Sequence, residues 1–138
     1  MNTHESYVSL ETAKLLKQAG FDWEVEQWFE ILENGKPMYA EGITYNMNSE
    51  IYGGSTISMP TLSVAQRWLR EAKGYIVLIE PPYSESNGII DVDWLAPFIY
   101  NKHESKREYS SDDAYDSYEE ALESGIKKCL ELILEEKE

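Results

Sequence analysis

Cysteine, histidine and positive charge are scarce in this chain, and each shortage removes a class of chemistry. A single cysteine, Cys129, allows no intramolecular disulfide. His4 and His103 are the only imidazoles, each in a polar stretch without a neighbouring Cys or second His, so no spacing announces a zinc site or a Cys–His nucleophile. Glycines make no phosphate cradle, since no Lys-Ser/Thr follows Gly53-Gly54, and no G-x-S-x-G is present. The longest apolar run, near Tyr75 to Ile79, is far too short for a membrane span, and the N-terminus lacks the basic-then-apolar pattern of a signal peptide. The reading is therefore a cytoplasmic, non-enzymatic protein with no membrane partner, no catalytic residue, no metal and no cofactor.

Twelve Lys and Arg stand against twenty-six Asp and Glu, giving a formal charge of −14. Such a chain repels a phosphate backbone unless its few cations share one face, so direct nucleic-acid binding is disfavoured. The charge is uneven. From Glu108 to Glu138 eleven acids face three bases, and from Asp22 to Glu41 six acids face one base. Pro60 to Gly74 and Lys102 to Arg107 are each positive by two. Solubility, contact with a basic partner and mimicry of a nucleic-acid backbone all fit this asymmetry.

What is present is a foldable pattern. A chain of 138 residues with 42% hydrophobic content is long enough to bury the core of one domain. Ser9 opens a helix with Leu10, Ala13, Leu16 and Ala19 on one stripe, stopped by Gly20. Thr61 opens a second, with Leu62, Ala65, Trp68, Leu69 and Ala72 on one side and Gly74 at its end. Ser117 and Glu120 form a capping box before a third, whose apolar face is Tyr118, Ala121, Leu122, Ile126, Cys129, Leu130 and Ile133. All three starts share a cap, an apolar residue and a small core residue, which fits convergence on capping chemistry, with duplication of a helix-plus-hairpin unit as the alternative.

Between helices the period changes to two. Trp23, Val25, Phe29 and Ile31 alternate with glutamates, Asn34-Gly35 supplies a turn, and Met38 to Ile43 returns as a strand. Residues 23–32 also carry a helical face through Val25, Trp28, Phe29 and Leu32, and composition alone does not separate the two. Tyr75 to Ile79 and Trp94 to Tyr100 form a second hairpin across a Pro81 to Gly88 connection, with Pro97 requiring an edge or a bulge. The fold class is thus α+β, one domain over 1–138, an antiparallel sheet of about four strands packed on two or three helices in the order α-β-β-α-β-β-α. Fraying is expected over residues 1–6 and 135–138.

Acids and tyrosines supply the candidate surfaces. Asp112, Asp113, Asp116 and Glu119 cluster before and within the third helix but lack the ligand order of an EF-hand, which makes them a solvated or partner-facing surface. Asp91 and Asp93 would share a side of an extended segment, a hint of metal binding. Tyr39, Tyr45 and Tyr52 stud a polar stretch from Tyr39 to Met59, long enough for an adaptable binding loop or a local strand. Arg67, Arg70 and Lys102 form a candidate basic patch if the fold unites them. An exposed edge beside Pro97, or Leu130 and Leu134 left uncovered, would serve a homodimer.

Three stretches carry a family resemblance. Y-V-S-L-E-T-A-K-L-L-K-Q-A-G-F-D at Tyr7 to Asp22, P-T-L-S-V-A-Q-R-W-L-R-E at Pro60 to Glu71 and Y-D-S-Y-E-E-A-L-E-S-G-I-K-K-C-L-E-L-I at Tyr115 to Ile133 resemble, in order and spacing, a group of small proteins encoded in phage and prophage regions of gut Bacteroides-type bacteria. The resemblance implies a mobile-element origin and a bacterial or host-cell cytoplasm, and assigns no activity to any residue. D-S-Y-E-E-A-L also looks like the C-terminal part of a HicB-like antitoxin over about thirty residues, though the leading helix departs from that order. The functional expectation is a phage accessory protein acting through protein–protein contact with a partner that is basic in character. The alternatives are a nucleic-acid-linked regulator, such as a DNA-mimic inhibitor or HicB-like antitoxin, and a cryptic metal-dependent enzyme.

Overall fold

Each helix begins where a side-chain oxygen can take up an orphan backbone N–H. In the computed structural model, which describes residues 6–80, 85–86, 89–90, 95–111, 113 and 115–136, α1 spans Leu10–Ala19 and Ser9 Oγ accepts from Thr12 N at 3.2 Å. α2 spans Leu62–Trp68 with Thr61 Oγ1 accepting from Val64 N, and α3 spans Tyr118–Glu136 with Ser117 Oγ accepting from Glu120 N. Gly20 closes α1, and the N–H of Phe21 returns to Leu16 O at 2.9 Å.

Two details of the helices correct the sequence pattern. α2 continues as a π-helical turn over Leu69–Lys73, and this wider turn carries Ala72 off the apolar stripe into solvent while Trp68 and Leu69 stay buried. Tyr118 is 48% exposed instead of completing the core, and Gly125 is the residue that joins the buried face. The far end of α3 is held as far as Glu136, whose carboxylate accepts from the Tyr75 hydroxyl at 2.9 Å, and residues 137–138 lie outside the described residues. Ser6 is likewise tied down, its carbonyl accepting from Leu62 N at 2.9 Å, while residues 1–5 and His4 among them lie outside.

Residues 25–31 are strand, which resolves the helical ambiguity. β1 (Val25–Ile31) pairs antiparallel with β2 (Pro37–Tyr45) on one side and β3 (Thr56–Ser58) on the other, giving the order β2-β1-β3. The reason is tertiary: Phe29, opposite both Tyr39 and Ile57, is buried only because two strands flank it. Trp28, on the other face, lies so close over Gly42 that a Cβ there would stand 3.0 Å from the indole. The long stretch before α2 does hold a local strand, β3, and is pinned by Asn48, whose amide donates to Phe21 O at 3.0 Å and accepts from Ser58 N at 2.9 Å.

The second hairpin also exists and also gains a strand. β4 (Tyr75–Glu80) pairs with Ala96–Asn101, and a short pair, β5 (Glu85–Ser86) with β6 (Ile89–Ile90), occupies the connection. With Ala96–Asn101 as β7 and Lys106–Ser110 as β8, the order is β4-β7-β8. Pro97 therefore sits in the central strand, not at an edge. It is tolerated near the strand start, where β8 ends opposite Phe98, and its carbonyl still accepts from Ser111 N at 3.1 Å. The pairing of β7 with β8 is irregular between Ile99 and Tyr100.

The α+β class and the helix–hairpin alternation stand, with the strands shared between two three-stranded antiparallel sheets and the short pair. α3 packs on β4 and β7 and also touches α1 and α2, so it joins both halves. Phe21 and Trp68 meet edge-on at 5.3 Å in the centre, and Leu16, Leu69, Ile99, Ile126 and Leu130 are fully buried around them. Trp23 and Trp28 are half-buried, and Trp94 lies outside the described residues. Of the α3 residues suggested for a dimer surface, Leu130 is fully buried and Leu134 is partly buried against the core. No helix of the described residues is long and apolar enough to cross a membrane.

Candidate functional site

The two halves do not close over one another completely. α1 packs over β3, but no helix packs comparably over β2, so the inner face of the first sheet runs out into solvent. Tyr39 marks the place. It lies directly opposite Phe29 on the same face, with ring centroids 5.1 Å apart, yet Phe29 is 3% exposed and Tyr39 74%.

Beside it opens a groove of about 750 Å3 between β1 and β2, the Ser6–Ser9 stretch and the first half of α3. Tyr7, Tyr39 and Tyr115 give it aromatic walls, with Met59 and Leu62 beneath. Tyr7 is fixed by its antiparallel bridge to Thr61, and the Tyr115 hydroxyl shares a 2.7 Å hydrogen bond with Ser124. Glu119, Glu120, Glu123 and Lys127 line the helical side, because residues three and four apart on α3 share a face.

Glu123 is anchored. Its Oε1 accepts from Ser9 N at 2.9 Å and from the Thr12 hydroxyl at 2.7 Å, which places a carboxylate on the positive end of α1. Its Oε2 is shielded from solvent and has no hydrogen-bond partner. Lys127, the only cation among the described groove residues, reaches Glu11 at 2.6 Å, and that carboxylate holds its ammonium pKa above the ordinary lysine value. Among the described residues, Glu119 and Glu120 have no side-chain hydrogen-bond or ion-pair partner.

The structure scatters the other candidate residues. Asp113 and Asp116 are exposed beside Tyr115, and Asp112 lies outside the described residues. Tyr45 and Tyr52 meet edge-on at 5.8 Å near the exposed Ile51, apart from the residues lining the groove. Arg67 is engaged with Glu71 at 2.8 Å and with the Trp23 ring at 5.8 Å. Arg70 is exposed in the π turn, and Lys102 abuts the end of that turn, its N–H donating to Gly74 O at 2.9 Å. Only Tyr39 and Glu119 of the candidates belong to the groove.

Sequence reading missed Tyr7, Gln27, Tyr115, Glu123, Ser124 and Lys127 as groove residues. The stripe Glu119, Glu120, Glu123, Lys127 is visible at helical spacing, but nothing local says that a hairpin lies across from it.

Nothing in the described residues assembles a metal ligand set: no group of three His, Cys, Asp or Glu converges there, and Asp91 and Asp93 lie outside them. His103 is exposed. Cys129 is fully buried, and burial pushes its thiol pKa up to about 12, leaving no thiolate near neutrality. Comparison with protein-family models, with curated proteins and with solved structures found no match for the chain.

Proposed function

We propose that this protein works by binding another protein, as a non-enzymatic accessory factor of the phage or prophage type that its sequence signatures resemble, in the cytoplasm of its host. The observation that supports the reading is the uncovered inner face of the first sheet. A tyrosine 74% exposed beside a buried phenylalanine of the same face is a surface the fold leaves unfinished. Tyrosine gives large contact area at low conformational cost, and a groove with one apolar wall and a few fixed polar groups suits a partner's side chains. A basic nucleic-acid enzyme is one partner that fits, since Asp113, Asp116, Glu119 and Glu120 are all exposed at the start of α3.

The test is a photo-crosslinking amino acid placed at Tyr39 and, separately, at Leu78, an exposed position on β4, in the native cell. Adducts with a discrete polypeptide at position 39 and none at 78 are expected. Equal labelling from both, or none from 39, refutes the groove as the contact surface.

A further inference from the structure

The chemistry of the groove says more than that a protein binds there. We infer that it takes an arginine side chain presented by an extended basic segment of the partner, an inference that rests on the protein-contact reading above. Four observations carry it.

Tyrosine rings line the walls, and Tyr7 and Tyr39 keep 42% and 74% of their surface open. A flat guanidinium stacks on such faces and gains from their quadrupole as well as from area. The helical side offers Glu119 and Glu120, both in the first turn of α3 and both without side-chain partners among the described residues. The two oxygens of either carboxylate match the fork of a guanidinium, which a lysine ammonium cannot fill in the same way.

Charge within the groove is unbalanced. Lys127 is its only described cation, and Glu11 already neutralises it from outside the groove at 2.6 Å. Glu123, held on two donors of α1 with its second oxygen shielded from solvent, adds fixed charge to the site without being an open contact. The site thus carries an excess of fixed negative charge against an apolar floor, in a chain whose formal charge is −14 and whose field draws cations in.

Other occupants fit worse. A phosphate backbone meets carboxylates, and a second copy brings another −14 with it. β2 beside the groove is an edge strand, a backbone against which an extended segment can lie.

The experiment titrates the intact chain with a short capped peptide alternating arginine and glycine, and with the same peptide carrying citrulline, in which a neutral urea replaces the guanidinium. Binding of the arginine peptide is expected to be at least about tenfold tighter, with a lysine peptide between the two. Glu120→Gln should weaken the arginine peptide several-fold without moving the melting temperature, since its side chain is exposed. Tyr39→Phe, which keeps the ring on Phe29, should bind nearly as well as the parent, while Tyr39→Ala loses several-fold. Glu33→Gln, in the hairpin turn away from the groove, should leave binding unchanged.

Equal binding of arginine and citrulline peptides overturns the inference, as does an equal loss from Glu33→Gln and Glu120→Gln, which would mean a diffuse field and no site. So does concentration-dependent self-association that Tyr39→Ala abolishes, because a second copy would then be the occupant. Crosslinking at position 39 with no arginine preference sinks this inference and leaves the contact reading standing. Arginine selectivity with no adduct in cells sinks the contact reading, and the groove is then a site for a free guanidinium compound.

Discussion

Replacing Gly125 by alanine sets two opposed effects against each other, and the sign of the outcome tests how closely α3 sits on the second sheet. In a solvent-exposed helix the change is favourable, by about 1 kcal/mol, because glycine loses more backbone freedom on folding. Gly125 is buried mid-helix, and a Cβ there would stand 2.7 Å from Val77 Cγ1 and 2.8 Å from Pro97 Cβ. Carbon atoms rest at about 3.5–4.0 Å, so roughly 1 Å must open between helix and sheet. Neither neighbour yields easily: Val77 is β-branched and fully buried, and Pro97 is a ring fixed in the central strand.

Overpacking of this kind costs about 1–3 kcal/mol, occasionally more. It outweighs the propensity gain, because Leu122 and Ile126 must move with the same stretch of helix. Gly125→Ala is expected to destabilise by about 1–2 kcal/mol, which for a domain of this size lowers the melting temperature by about 3–8 °C. Urea unfolding followed by circular dichroism reads it as a lower midpoint at constant slope. Val77→Ala removes the nearer of the two atoms, so the double variant should recover about 1 kcal/mol relative to the sum of the singles. A stabilised Gly125→Ala, or strict additivity with Val77→Ala, refutes the close approach.

Two further outcomes follow from groups buried nearby. Glu123→Ala should cost about 1–3 kcal/mol through the loss of the acceptor for Ser9 N and the Thr12 hydroxyl, with faster amide exchange in the first turn of α1, while Glu123→Gln keeps the acceptor and should cost under about 1 kcal/mol. Equal losses from the two would show that the carboxylate does not cap α1. Stability should also fall in alkali. The folded Cys129 thiol keeps its proton up to about pH 12, whereas an unfolded one loses it near 9.0. Below that lower value both states are protonated. Between the two values the unfolded state binds fewer protons, so stability drops as pH rises, by about 1.4 kcal/mol per pH unit for one group. Tyr75, pushed upward by burial and by its bond to Glu136, adds a loss of the same sign above its ordinary value of 10.0. Unfolding midpoints across this range, compared with those of Cys129→Ala and Tyr75→Phe, measure each share. A flat profile, or fast thiol labelling of the native protein at neutral pH, refutes the burial of Cys129.

Helix starts and the class of the fold were legible in the chain because their causes are local. Ser9, Thr61 and Ser117 each cap the turn that follows them, whatever lies elsewhere, and the apolar stripes of α1 and α3 follow from helical periodicity. Asn34-Gly35 likewise makes its turn from its own residues. The two hairpins were visible for the same reason. β8 was not. Lys106 to Ser110 reads as a charged loop, since an edge strand with little to bury protects itself with charge and leaves only Tyr109 as an apolar signal. Pro97 misled because its penalty depends on where the neighbouring strand stops, a fact held in the pairing of β7 with β8 and not in the residue.

The groove itself depends on tertiary packing. Tyr39, a tyrosine spaced like its neighbours Tyr45 and Tyr52, became a wall of the site only because α3, eighty residues on, covers β4 and β7 and leaves β2 bare. By itself the sequence determined an acidic α+β domain with three capped helices and two hairpins, since propensity, capping and turn chemistry act over a few residues. Tertiary structure alone decided which tyrosines face which carboxylates, because that depends on how far one layer extends past another. The acids of α3 were plain from the start; that three of them line one groove with Tyr39 is a consequence of packing.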